Sequence, residues 1–176
     1  MPQLRTGKLN KKVCMLGTFA VGKTSLVRQF VHSIFSEDYL STVGVQLSTK
    51  SLKITDPEQD KTHEVTLILW DLAQLEKFDN VVKNYLHGSH AAIVVFDLTR
   101  PQTFAEADEM IQNYKDINPD SQLVLAGNKT VIADDEEARK KLRVMAESLN
   151  CDIFFTSART GENVDLMFKK LAQQLI

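Results

Sequence analysis

Hydrophobic positions along the chain switch between two periods. Short, nearly continuous apolar runs at Val13–Leu16, Val65–Trp70, Ala91–Asp97, Leu123–Gly127 and Ile153–Thr156 have the length and branched-residue content of buried strands. Between them apolar residues return at helical spacing, in a helix opening at Lys23, in Thr103–Ile117 where Phe104, Ala107, Ile111 and Tyr114 share a face, in Glu136–Leu149 and in Val164–Ile176. Leu47–Ile54 and Val65–Trp70 flank the polar, turn-rich Thr55–Lys61, the signature of a hairpin. The alternation predicts an α/β fold: a six-stranded, mostly parallel sheet with one antiparallel edge strand and helices on both faces. Ligands of such folds bind beyond the carboxyl ends of the strands, so motifs at those ends carry most weight.

The first of them is Gly17-Thr18-Phe19-Ala20-Val21-Gly22-Lys23-Thr24, lying between a strand and a helix. Two glycines, a lysine and a hydroxyl at this spacing are what a backbone cradle for a triphosphate requires. Gly17 permits the sharp turn, Gly22 lets backbone N–H groups close on phosphate, and the helix N-terminus behind them adds partial positive charge. Lys23 would reach the β- and γ-phosphates and the Thr24 hydroxyl would ligate Mg²⁺. A glycine-containing surface turn is the bland alternative; the flanking strand and helix argue against it.

Bulk properties narrow the setting. At 176 residues the chain fits one domain, 1–176, with its polar first ten residues expected to be flexible. With 21 Lys and Arg against 23 Asp and Glu, the net charge of −2 gives no basic field for nucleic acid. Any ligand charge must be met locally. Cys14 and Cys151 look like small core residues of a reduced, cytoplasmic protein, and His32, His63, His87 and His90 have no metal-ligand spacing. No segment approaches a membrane span. The closing Leu171-Ala172-Gln173-Gln174-Leu175-Ile176 offers no cysteine for prenylation, so membrane attachment is expected to be indirect or through a tail outside this chain. Arg139-Lys140-Lys141-Leu142-Arg143 reads either as a partner patch or as a solvated helix face; the acidic residues preceding it favour the latter.

Four further motifs stand in order. Asp71 follows a buried strand, where its carboxylate could hold Mg²⁺ through water, unless it merely caps. Thr42, between the first helix and the hairpin, could close on the metal when a γ-phosphate is present. Asn128-Lys129 ends one strand and Ser157-Ala158-Arg159 the next, so both loops could face a base. With these five motifs the chain, from about Lys11 onward, resembles the Ras superfamily of small GTPases, and within it a Rab. The Rab-like cues are Thr42-Val43-Gly44-Val45, Trp70 before the aspartate, Tyr85 with His87-Gly88, and Val94-Val95-Phe96-Asp97-Leu98-Thr99.

The resemblance implies a P-loop NTPase G domain binding GTP or GDP with Mg²⁺ held by Thr24, Thr42 and Asp71. It places Gly17, Phe19, Ala20, Val21, Gly22, Lys23, Thr24 and Ser25 around the phosphates, Tyr39 over them, and Phe35, Asn128, Lys129, Ser157, Ala158 and Arg159 around the guanine. It further implies a monomeric switch, cytoplasmic or peripheral on cytoplasmic membrane faces. Such a switch meets effectors through Thr42 and the Leu47–Trp70 surface, and an exchange factor.

Three departures follow from the same resemblance. Where the family carries Trp-Asp-Thr-Ala-Gly-Gln-Glu, this chain has Trp70-Asp71-Leu72-Ala73-Gln74-Leu75-Glu76. Gln74 brings a Cβ to a glycine position, and Leu75 has no polar atom with which to orient an attacking water. Phe19 stands where a small residue usually lies near the γ-phosphate, with bulk enough to exclude an arginine finger. The family's Asn-Lys-x-Asp is Asn128-Lys129-Thr130-Val131, without the carboxylate that accepts two hydrogen bonds from guanine. Asp134 or Asp135 could substitute if the loop folds back, or simply form an acidic helix start. These residues predict a switch with slow hydrolysis and weakened guanine selectivity. Its competitors are a pseudo-GTPase scaffold working by protein interaction alone and a P-loop kinase, for which neither an acceptor pocket nor an arginine-rich lid is found.

Overall fold

The computed structural model describes residues 7–36, 44–56, 61–72, 80–133 and 135–176. Its strands are β1 (Lys8–Leu16), β2 (Val45–Asp56), β3 (Lys61–Leu72), β4 (Ala91–Asp97), β5 (Gln122–Asn128) and β6 (Asp152–Thr156), interleaved with α1 (Lys23–His32), α2 (Asn80–Leu86), α3 (Phe104–Ile117), α4 (Glu136–Leu149) and α5 (Val164–Gln174). They form one sheet in the order β2-β3-β1-β4-β5-β6, in which only β2 runs antiparallel, paired with β3.

Strand periodicity explains how that sheet is covered. Val13, Met15, Ile93, Val95, Val124 and Ala126 point to one face, where Leu26 and Phe30 of α1 and Met167 and Phe168 of α5 pack. The intervening Cys14, Leu16, Ala92, Val94, Leu123 and Leu125 point to the other, covered by Leu86 of α2, Phe104, Ala107, Ile111 and Tyr114 of α3, and Leu142 of α4. Central strands buried on both faces are why their sequence reads as continuous apolar runs. Phe30 and Phe168 stack at 4.0 Å between centroids, fixing α1 against α5.

Several boundaries moved from expectation. Lys8–Asn10, assigned by polar composition to a flexible terminus, pair with Glu64–Thr66 in β1, because backbone hydrogen bonds extend a strand where side chains need not be buried. The helix α2 had no counterpart in the periodicity reading; Leu86 alone among its residues is buried, too little to register as a repeat. The basic run of α4 is a solvated face: Lys141 pairs with Glu137 and Arg143 with Glu136, while Arg139 and Arg143 lie over the Phe155 ring. Cys14 is buried as expected, and Cys151 only partly so.

Candidate functional site

The loop from Gly17 to Gly22 joins β1 to α1 at the carboxyl edge of the sheet. Gly17 holds φ 137°, and a Cβ there would stand 2.4 Å from the Val95 carbonyl oxygen. Gly22 holds φ 104°, and a Cβ there would meet Asn128 Nδ2 at 2.3 Å. Both positions therefore exclude any side chain. Ala20, between them, takes φ 61°, a left-handed conformation costing a non-glycine residue ~1–2 kcal/mol. Gly22 is also the N-cap of α1 and supplies no side chain to the first-turn N–H groups, which face the loop.

Lys23 is only 8% exposed, and its Nζ donates to the carbonyls of Gly17 at 2.7 Å and Thr18 at 3.0 Å. Desolvation by burial pushes its pKa down to about 8, with the Asp71 carboxylate opposing the shift. Thr24 Oγ1 donates to Asp71 Oδ2 at 2.5 Å. Asp71 is 2% exposed, and its Oδ1 is buried with no hydrogen-bond partner. Burial raises this carboxyl above its ordinary range, while Thr24, Lys23 and Arg28 pull it down. A hydroxyl joined to a carboxylate with one orphaned buried oxygen fits a hard, oxygen-seeking cation such as Mg²⁺.

The other end of the cleft is organised by Asn128, 2% exposed at the end of β5. Its Nδ2 donates to the Val21 carbonyl at 2.9 Å, and its Oδ1 accepts from Thr156 Oγ1 at 3.3 Å and the Ala158 N–H at 3.2 Å. One amide thus ties the phosphate loop to the ends of β5 and β6. Lys129 follows at φ 71°, with Nζ 2.6 Å from Asp97 Oδ2. Asp97 is fully buried at the end of β4; desolvation would raise its pKa, but bonds from Lys129, Thr99 and Arg100 overcome that and hold it below the usual range.

Between these ends runs a cleft of about 320 Å³ lined by Ala20, Gly22, Thr24, Ser25, Arg28, Ile34, Phe35, Ser36, Asn128, Lys129, Val131, Ile132, Ser157, Ala158 and Arg159. Ten of the residues expected at the site by sequence are therefore gathered here: Ala20, Gly22, Thr24, Ser25, Phe35, Asn128, Lys129, Ser157, Ala158 and Arg159. Gly17, Val21, Lys23 and Asp71 sit directly beneath, connected by the bonds above. Phe19 is not among the lining residues; it is 44% exposed, its carbonyl accepting from Arg100 Nη2 at 2.7 Å. Tyr39, Thr42, Gln74 and Leu75 lie outside the described residues.

No described lining residue is acidic, whereas Arg28, Lys129 and Arg159 are cationic. Asp135 does not line the cleft; as N-cap of α4 it accepts from the Ala138 N–H at 2.9 Å. Asp134 lies outside the described residues. Sequence reading missed Arg28, Ile34 and Ile132 as wall residues and Asp97 and Arg100 as supports. Asp97 and Thr99 lay within a quoted motif and Lys129 within another, but nothing in the sequence marked Arg100 or joined the two motifs.

Comparison with known proteins agrees with this geometry. A family model described as "Ras family" matches residues 12–176. The chain is 34% identical over 170 residues to "GTP-binding protein ypt5" of Schizosaccharomyces pombe, a match covering 95% of this chain and 78% of that protein.

Proposed function

The chain belongs to the Ras family, and on that premise we propose a Rab-like, GTP-binding molecular switch that captures nucleotide and Mg²⁺ but hydrolyses slowly and selects guanine weakly. The observation that carries this reading is the contrast within one cleft. Buried Lys23 and Asp71 stand with the partly buried Thr24 at the phosphate end, while no described carboxylate lines the base end.

At the phosphate end, the α1 N-terminus and Lys23 meet the negative charge of a triphosphate. Thr24 and Asp71 would hold Mg²⁺, which when bound neutralises charge on the phosphates and supplies Lewis-acid polarisation. Lys23, already stripped of water and held at the Gly17 and Thr18 carbonyls, needs little reorganisation to reach an anion. Hydrolysis additionally needs a group that orients water, and the sequence offers Gln74 and Leu75 where the family has Gly-Gln. Leucine cannot hold a water by hydrogen bonding, so turnover is slow.

At the base end, guanine presents an N–H and an amino group that want an acceptor. Val131 and Ile132, 53% and 65% exposed, give them apolar surface instead. Two charge-assisted hydrogen bonds, ~1.5–3 kcal/mol each, amount to ~10²–10⁴ in affinity. Phe35 and Ile34 still offer stacking area to any purine.

Effector engagement is proposed on the hairpin. Leu47, 58% exposed, lies opposite Trp70 in the β2–β3 register, and Trp70 meets Tyr85 at 6.2 Å. Similarity to a GTP-binding relative supports a cytoplasmic or peripheral membrane setting. No helix among the described residues is long and apolar enough to cross a membrane.

The test is to purify the protein without added nucleotide, denature it and chromatograph what is released per mole of chain. GTP is expected. GDP would mean that turnover persists despite Gln74 and Leu75, and an empty site would favour the scaffold reading.

A further inference from the structure

The phosphate loop and the base loop are fastened to the same buried carboxylate. Asp97 Oδ2 accepts from Lys129 Nζ at 2.6 Å and from Arg100 Nε at 2.9 Å, and Arg100 Nη2 continues to the Phe19 carbonyl at 2.7 Å. The second oxygen, Oδ1, accepts from the Thr99 N–H at 2.9 Å and its Oγ1 at 2.6 Å, which fixes the plane of the carboxylate. The side chain of Asp97 is 1% exposed against 31% for Lys129 and 33% for Arg100, so the anion is shielded from water while both cations remain at the surface. Topology explains why β4 carries this group: it lies between β1, which leads into the phosphate loop, and β5, which leads into the base loop.

We propose that Asp97 is a positioning residue that sets how long the cleft retains its nucleotide, by fixing Lys129 on the base side and, through Arg100, the Phe19 carbonyl on the phosphate side. The inference rests on the reading of this cleft as a nucleotide site. Each fastened segment holds a non-glycine residue in the left-handed region, Ala20 at φ 61° beside Phe19 and Lys129 itself at φ 71°. Backbone of that kind persists only where its surroundings over-determine it. The tie from Asn128 to Val21 holds the loop at one point, and the ionic bridge holds it at a second, so release of nucleotide by loop opening must break both.

Two variants separate the parts of the bridge. Asp97→Asn keeps size but removes the charge and presents an amide where both cations converge; Arg100→Lys keeps charge but cannot span Asp97 and the Phe19 carbonyl with two nitrogens. Dissociation of a fluorescent GDP analogue from the Mg²⁺-loaded protein is expected to accelerate about tenfold or more in each, as expected for losing a charged hydrogen bond. Association should change less than twofold, and Arg100→Lys should leave the melting temperature unchanged. The double variant should release no faster than Asp97→Asn alone, because both act through one bridge. Dissociation rates within twofold of the parent, or effects that multiply in the double variant, would overturn the proposal.

Amide hydrogen exchange across Thr18–Gly22 in the unliganded variants reads the bridge without nucleotide. Acceleration is expected, and unchanged protection would sink the bridge itself. A parent chain that retains no nucleotide while the variants exchange faster would overturn the functional reading and the residence-time role, leaving only a structural tie.

Discussion

The two ends of the cleft are built alike and equipped differently. Each is a loop at the carboxyl end of a parallel strand buried on both faces, β1 for the phosphate end and β5 for the base end, and each contains one left-handed non-glycine residue. At the phosphate end, Lys23, Thr24 and the orphaned oxygen of Asp71 suit an anion and its metal. At the base end the framework survives, in Asn128 with its bonds to Val21, Thr156 and Ala158, but the wall beyond it is Val131 and Ile132. On the proposed reading, charge neutralisation and base discrimination are separable, because they reside at the ends of β1 and β5, which β4 separates in the sheet.

The contrast breaks most easily at its strong end. Lys23→Ala removes the buried cation and should weaken triphosphate binding by about 10²-fold or more, as loss of charge-assisted bonds predicts. Titration of a fluorescent nucleotide checks it, and a loss of only a few-fold would mean that the helix N-terminus alone suffices. At the weak end, Val131→Asp should create selectivity. An acceptor for guanine ought to raise the preference for GTP over ITP and ATP about 10–100-fold in competition, from a parent that discriminates little. A parent that already rejects ITP and ATP strongly would show that another acceptor serves the base.

A pH series sharpens the phosphate end further. Lys23 titrates near 8 when folded, against an ordinary 10.5, so between those values the unfolded chain binds more protons than the folded one. Stability of the unliganded protein should consequently rise with pH through that window. Nucleotide affinity should be flat below about pH 8 and decline above it, since the anion needs the protonated amine. Isothermal titration and denaturant melts at matched ionic strength measure the two trends, whose opposite signs set Lys23 apart from a general alkaline loss. The smallest effect is expected at Ala20→Gly. Relief of the left-handed strain, less the chain entropy glycine adds, should stabilise the fold by about 1 kcal/mol or less, visible as a higher denaturation midpoint.

Much of this architecture was legible because burial writes itself into strand composition. The apolar runs of β4 and β5 and the shared face of Phe104, Ala107, Ile111 and Tyr114 gave element types correctly, and the phosphate loop announced itself through glycines whose conformations, at Gly17 and Gly22, admit nothing else. Polar strand ends were not legible. Lys8–Asn10 pair chiefly through backbone, with an exposed Lys8–Glu64 ion pair and only Leu9 partly packed on the core, too little to mark the side-chain pattern. The helix α2 escaped for a related reason, since it buries one residue.

By itself the sequence determined the fold class, the phosphate loop and the loss of a carboxylate at Val131, all of which depend on residue type within short motifs, and it offered Thr24 and Asp71 as separate candidates that only the fold joined. Only the tertiary structure decided that Asp135 caps α4 through Oδ1, and that Ile34 and Ile132 line the cleft with Phe35 and Val131. It alone brought Asp97 within 2.6 Å of Lys129, 32 residues later, and carried Arg100 to the Phe19 carbonyl, 81 residues earlier. Contacts of that range are set by strand order in the sheet, which neither periodicity nor motif spacing contains.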